Sequence, residues 1–153
     1  MKRLKLVVLG GIAFYIVTFA VSFATGPLIH EGLLMDTYRA SSQLWRPELN
    51  QDPPDMGALM PRWITTGVIG SLIVAFVFAW VRPAFSGPGW KRGLQGGLCL
   101  VLLGIVFGPL GYSGVFNAPD KIWIWWALES PFYYLPAGLV LGWLGDKLDP
   151  LPA

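Results

Sequence analysis

The side chains of this 153-residue chain that could carry catalytic or metal chemistry are few and widely separated. The chain contains a single histidine, His30, and a single cysteine, Cys99. His30 is followed by Glu31, but the HExxH zinc motif needs a second histidine one helical turn later. A zinc site of any kind needs several ligands that lie close together. The sequence therefore predicts no metal site.

Known catalytic motifs are missing from the sequence as well. Ser113 lies in Gly-Tyr-Ser-Gly, which is not the GxSxG nucleophile elbow, and Cys99 has no neighbouring base to activate it. Neither GxxxxGK[ST] nor GxGxxG is present to hold a phosphate group. We therefore expect a protein that is not an enzyme and that binds no cofactor.

Glu129 is the ionisable residue with the strongest functional signal, because it interrupts an otherwise apolar run over residues 122–145. An acid inside a membrane-spanning helix is costly and often functional. If the helix begins near Ile122, Glu129 lies about 10 Å along its axis. If the helix begins only after Ser130-Pro131, Glu129 lies among the lipid headgroups. The sequence leaves both alternatives open.

Most of the chain consists of apolar runs long enough to cross a bilayer. Hydrophobic residues make up 54% of the chain and charged residues only 13%, whereas soluble domains carry about 25% charged residues. A helix needs about 20 apolar residues to cross the hydrocarbon core. We predict a single all-α domain, an integral membrane four-helix bundle, with spans near 6–25, 63–81, 94–114 and 122–145.

The distribution of basic residues predicts the orientation of these spans. With the N-terminus in the cytoplasm, seven basic residues face inward and four outward, as the positive-inside rule requires. Both termini are then cytoplasmic. Net charge of +2 is too small to indicate nucleic-acid binding. The inward set is Lys2, Arg3, Lys5, Arg82, Lys91, Arg92 and Lys147, and the outward set is Arg39, Arg46, Arg62 and Lys121.

Residues 26–62 form the long outer loop of this topology. Leu34, Tyr38 and Trp45 recur in it near helical spacing beside polar residues, which predicts a short amphipathic helix on the outer surface.

Small residues recur along one face of three predicted spans. Small side chains let helix backbones approach closely in a membrane, where packing drives helix association. The pattern predicts a compact bundle, and the richness in glycine along the third span also suggests a homodimer face. The packing positions are Gly67, Ser71, Gly97, Gly104, Gly108, Gly138 and Gly142.

A GPLxxxG pattern occurs twice, beginning at Gly26-Pro27 and at Gly108-Pro109. Both copies fall at the outer end of an odd-numbered span, which suggests two parallel helical hairpins and a helix break at each copy. The alternative is that both copies merely end a helix. Paired breaks would form a ligand or ion site with His30, Glu31, Tyr112 and Glu129. Lys121, Arg39 or a protonated His30 would be the cationic partner of Glu129.

The order of these features resembles a family of small bacterial four-span membrane proteins of unknown function. The resemblance rests on a first span that ends in GPL, a tryptophan-containing outer segment, the glycine-rich third span GLQGGLCLVLLGIVFGPLG and a glycine-rich fourth span. It covers nearly the whole chain. It implies the four-span fold and a bacterial inner membrane, but no activity.

Two functions fit these patterns. The first is a non-enzymatic accessory or scaffold subunit, which would pack its glycine faces against a protein partner or a second copy within the lipid bilayer. The second is a small transporter or ligand-binding membrane protein with its site at the outer ends of the first and third helices. Burial of Glu129 beside a polar cavity would favour the second function.

Overall fold

The computed structural model describes residues 1–151, and all regular elements in that range are helices. The all-α prediction is therefore confirmed. Four helices are long, a short one lies between the first two of them, and 3-10 turns occupy Ser42–Leu44 and Pro47–Asn50. In chain order the helices are α1 (Lys2–Leu33), α2 (Met35–Ala40), α3 (Met56–Ala84), α4 (Gly89–Ser113) and α5 (Asp120–Leu148).

Within residues 1–151, the helices α1, α3 and α4 are long and apolar enough to cross a membrane. Helix α5 has 29 residues, which is long enough, but it is not one of these three. Its tryptophans, tyrosines, prolines and charged groups lower its mean hydropathy below theirs. Length and composition thus support three spans, one fewer than predicted.

Helix α1 does not break at Gly26-Pro27, contrary to the expectation from the first GPL motif. The backbone of Pro27 keeps helical angles (φ −58°, ψ −36°), and the chain continues as wider π-helical turns over Pro27–Leu33. Proline removes a backbone donor, and a π-turn accommodates the loss because it shifts the hydrogen bonds by one residue. The continuation carries His30 on the same helix as Thr25.

Helix α4 does have an irregular residue at its GPL motif. Gly108 leaves the helical region (φ −96°, ψ −106°) within a π-helical segment over Val106–Leu110, and a short helical piece follows to Ser113. A Cβ at Gly108 would meet no atom within 4 Å. Gly108 therefore marks a kink and not the close helix contact that its position suggested.

Helix α5 begins at Asp120 and runs without interruption through Pro131 and Pro136. Pro131 cannot donate a hydrogen bond to the carbonyl of Ala127 one turn earlier, and a buried carbonyl without a donor is costly. The hydroxyl of Ser130 donates to that carbonyl at 2.9 Å. The early start of the helix places Glu129 inside α5, as the first of the two alternatives requires.

Glycine brings α4 and α5 into the most extensive helix contact of the fold. A Cβ at Gly97 would lie 2.5 Å from the carbonyl oxygen of Tyr134, and one at Gly138 would lie 2.5 Å from that of Gly93. Gly142 likewise meets the backbone of α4, and a Cβ at Gly104 would lie 3.3 Å from the Tyr134 ring. These residues allow backbone to pack directly on backbone.

Helix α1 packs against both α3 and α5 and completes the core. Ser71 is buried on α3, as are Ala75 and Ala79 on the same face. A Cβ at Gly67 would lie 2.6 Å from the ring of Tyr15 on α1. The small-residue face of α3 is therefore used within the chain.

The outer segment after α1 folds onto α5. Its predicted amphipathic helix is reduced to the six residues of α2. Leu34 is fully buried in a cluster with Ile29, Ile122 and Trp123, and Tyr38 and Trp45 pack against that cluster. The segment thus covers the N-terminal part of α5, which contains Glu129.

Candidate functional site

Glu129 is buried between α5 and the end of α1. Its side chain is 3% exposed. The hydroxyl of Thr25 donates to Oε1 at 2.6 Å, and His30 Nε2 lies 3.1 Å from Oε2. Both partners come from α1, so the uninterrupted course of that helix past Pro27 builds the site.

A chain of hydrogen bonds connects Trp126 to Glu129 through Tyr38 and His30. The indole N–H of Trp126 can only donate, and it donates to the Tyr38 hydroxyl oxygen at 2.9 Å. The Tyr38 hydroxyl then has its own proton to donate to His30 Nδ1, at 2.8 Å. With Nδ1 as acceptor, the neutral ring carries its proton on Nε2 and donates it to Glu129. A neutral His30 therefore satisfies every bond in the chain.

Tyr38 keeps its proton in this arrangement. Burial raises the pKa of Tyr38 to about 12, against the lowering effect of the hydrogen bond from Trp126, and the nearby Glu129 carboxylate raises it further. The Tyr38 hydroxyl therefore keeps a proton that it can donate to His30 Nδ1.

A pocket of about 200 Å³ adjoins the carboxylate. The side chain of His30, which is 33% exposed, stands at this pocket. Most of the lining comes from one face of α5, since the residues follow helical spacing. The lining residues are His30, Trp126, Glu129, Ser130, Tyr133 and Tyr134.

The pocket combines an acceptor with spare capacity and several aromatic rings. A carboxylate has about four lone-pair positions, and Thr25 and His30 occupy one on each oxygen. Aromatic faces attract cations, most strongly those of tryptophan. This combination suits a positively charged group. A metal ion would find only His30 and Glu129 as ligands here, and within residues 1–151 no three metal-ligating side chains cluster.

The structure brings His30 and Glu129 together but leaves Glu31 and Tyr112 outside the site. Glu31 is exposed. Tyr112 is 45% exposed, and its ring packs edge-on against Trp123 at 6.1 Å. Lys121 and Arg39, the other predicted partners of Glu129, are engaged with different groups. Lys121 donates to the carbonyl of Leu33 at 2.7 Å, and Arg39 pairs with Asp52 at 3.4 Å.

Sequence reasoning missed Thr25, Tyr38, Trp126 and Tyr133. A weak signal existed for two of them, because Trp126 and Tyr133 lie three residues before and four residues after Glu129 and so share its helix face. Thr25 is one of the few hydroxyl residues of an apolar run. Nothing in the sequence pairs Tyr38 with His30.

Comparisons of the chain with protein-family models, with curated proteins and with solved structures found no match. The function therefore has to be argued from the geometry of this site.

Proposed function

We propose that this chain is a small ligand-binding membrane protein that takes up a monovalent organic cation at Glu129. The observation that carries the proposal is a carboxylate that is 3% exposed and lies next to an aromatic pocket. Lysine and arginine side chains that could neutralise it are engaged with other groups.

The charge of the site supports a cationic ligand. When His30 is in the neutral tautomer that accepts from Tyr38, the Glu129 carboxylate is held by neutral donors alone. A buried ion is costly when it has no counter-charge. A bound cation would supply that charge, and a partly hydrophobic ammonium group would also gain from the rings of Trp126 and Tyr133.

The membrane arrangement belongs to the same proposal. Helix α5 would cross the bilayer as a fourth span, because it packs along both α4 and α1. Glu129 would then lie in the outer half of the bilayer with both termini in the cytoplasm, and the resemblance to small bacterial four-span proteins favours a bacterial inner membrane. Pairing α1 with α3 and α4 with α5 would give the two hairpins that the repeated motif suggested.

The accessory-subunit alternative has less support. It rested on glycine faces that were available to a partner. Gly97 and Gly138 are instead enclosed by backbone contacts between α4 and α5, and Gly67 by the ring of Tyr15. These three glycines thus pack inside the chain, whereas no packing role is evident for the pocket beside Glu129.

Equilibrium binding of radiolabelled tetramethylammonium to the purified protein in nanodiscs tests the proposal. We expect saturable binding in the wild type and a loss of at least about tenfold in affinity in Glu129→Gln. Glu31→Gln is the matched control, because it removes an exposed carboxylate two residues from the α1 terminus, and it should bind as the wild type does. Unlabelled tert-butanol, a neutral molecule of similar shape, should not compete. Equal binding by Glu129→Gln and the wild type would refute the proposal.

A further inference from the structure

We propose that the cation is the headgroup of a single-chain amphiphile, whose alkyl chain lies in a groove between α1, α3 and α5 that opens toward the lipid. This inference rests on the proposed function and names the substrate class of the same site.

The groove has a volume of about 380 Å³, nearly twice that of the pocket beside Glu129. Helix α1 contributes Tyr15 and Ser22, α3 contributes Gly67 and Gly70, and α5 contributes two tyrosines. The absence of a side chain at Gly70, where a Cβ would meet no atom within 4 Å, opens the space between α1 and α3. Gly70 and Ser22 are exposed, so the groove reaches the outer surface of the helix bundle.

The groove and the Glu129 pocket adjoin each other. Tyr133 and Tyr134 line both. Ser22 stands at the groove, and Thr25, the donor to Glu129, follows it by three residues, or about 4.5 Å along the axis. A molecule that places its cation at Glu129 can therefore extend its remainder along α1 past Tyr133.

The depth of the groove fits an alkyl chain. Trp63 on α3 marks the outer interface, where tryptophan rings favour the headgroup level. Gly67 and Gly70 follow it by four and seven residues, which places them about 6 to 10 Å deeper in a helix that spans the bilayer. At that depth the surface faces lipid chains. The headgroup pocket carries the negative charge and the groove is mainly apolar. This pattern is complementary to a cationic amphiphile, which has a positive headgroup and an apolar chain.

One polar group in the groove has no other role in the described chain. The Tyr15 hydroxyl is buried, and among residues 1–151 it has no hydrogen-bond partner. Its ring packs over the bare backbone of Gly67, which fixes the inner wall of the groove.

Displacement of radiolabelled tetramethylammonium by alkyltrimethylammonium ions of increasing length tests this inference. In nanodiscs we expect apparent affinity to rise by about threefold to fourfold per methylene from hexyl to decyl, since each methylene leaves water. A site closed to the bilayer would reject the longer chains, and affinity would stay flat or fall. That result would overturn the amphiphile and leave the cation site intact, whereas failure of tetramethylammonium itself to bind would overturn the proposed function.

A variant that fills the groove separates binding of the alkyl chain from binding of the cationic headgroup. A Cβ at Gly70 meets nothing within 4 Å, so Gly70→Leu should fold normally while its side chain occupies the groove. We expect this variant to bind decyltrimethylammonium at least about tenfold more weakly and tetramethylammonium unchanged. Ile69→Phe, a change of the 53% exposed neighbour on the lipid side, is the matched control and should bind both ions normally. Equal loss of both ions in Gly70→Leu, or loss of neither, would contradict the assignment of the groove.

Discussion

Tyr38 connects two residues that the chain order keeps far apart, His30 on α1 and Trp126 on α5. Its hydroxyl accepts from the indole and donates to the imidazole, at 2.9 Å and 2.8 Å. The imidazole in turn holds Oε2 of Glu129. The outer segment thus acts on the carboxylate through a positioning residue that does not touch it.

The variant Tyr38→Phe tests this connection. It leaves the Trp126 N–H without its acceptor and frees His30 Nδ1, and an unsatisfied buried group costs about 1 to 3 kcal/mol. We expect the thermal midpoint to fall and tetramethylammonium affinity to drop by about tenfold, because His30 loses its fixed orientation. Tyr112→Phe is the control, since the Tyr112 side chain is 45% exposed and lies outside the site. Unchanged affinity in Tyr38→Phe would show that His30 needs no positioning.

At the scale of elements, α5 determines whether Glu129 is buried, and α5 depends on how it tolerates proline. The Ser130 hydroxyl replaces the backbone donor that Pro131 lacks by bonding to the Ala127 carbonyl. The helix can therefore begin eleven residues before Pro131, at Asp120. Without that hydrogen bond, the helical conformation from Asp120 to Ser130 would be less stable.

A double-mutant cycle at Ser130 and Pro131 measures this compensation. Ser130→Ala should lower the free energy of unfolding by about 1 kcal/mol, because the Ala127 carbonyl loses its donor. Pro131→Ala restores a backbone N–H at the next position, so Ser130→Ala combined with Pro131→Ala should be about as stable as Pro131→Ala alone. Urea unfolding in mixed micelles gives the four values. Additive losses would mean that the two residues act independently.

At the scale of the whole molecule, ion pairs tie together the helix ends that the proposed topology places in the cytoplasm. Arg82 at the end of α3 is 1% exposed, and its Nη2 donates to the Asp149 carboxylate at 2.9 Å and to the Asp149 backbone carbonyl. Asp146 on α5 accepts from the Gly89 N–H at 2.6 Å and pairs with Arg92 at 3.4 Å. The pocket beside Glu129 lies toward the opposite end of α5.

Cysteine accessibility tests which end faces the cytoplasm. Asn50 and Ser86 are both exposed, and they lie beyond opposite ends of α3. In a Cys99→Ala background, which removes the exposed native thiol, Asn50→Cys should react with a membrane-impermeant maleimide added to intact cells, and Ser86→Cys only after lysis. The reverse labelling pattern would invert the proposed topology and place the Glu129 pocket toward the cytoplasm.

Several features could be predicted from the sequence because they depend on local physics. Apolar runs in α1, α3 and α4 require helices wherever water is absent, and the position of Glu129 in such a run marks it as unusual. The end of α1 was predicted wrongly at Gly26-Pro27. A proline in the sequence indicates one missing backbone donor, but it does not indicate the π-turns that let the helix continue past it.

Only the tertiary structure decided which residues surround Glu129. His30 and Thr25 lie 99 and 104 positions away in the chain, and their contacts with Glu129 depend on how α1 packs on α5. That packing follows from glycine contacts and side-chain fit spread over several helices, and no local pattern encodes it. The sequence determined that a carboxylate sits in an apolar helix, and the packing of the helices determined that it has hydrogen-bond partners from α1, aromatic neighbours and an open pocket.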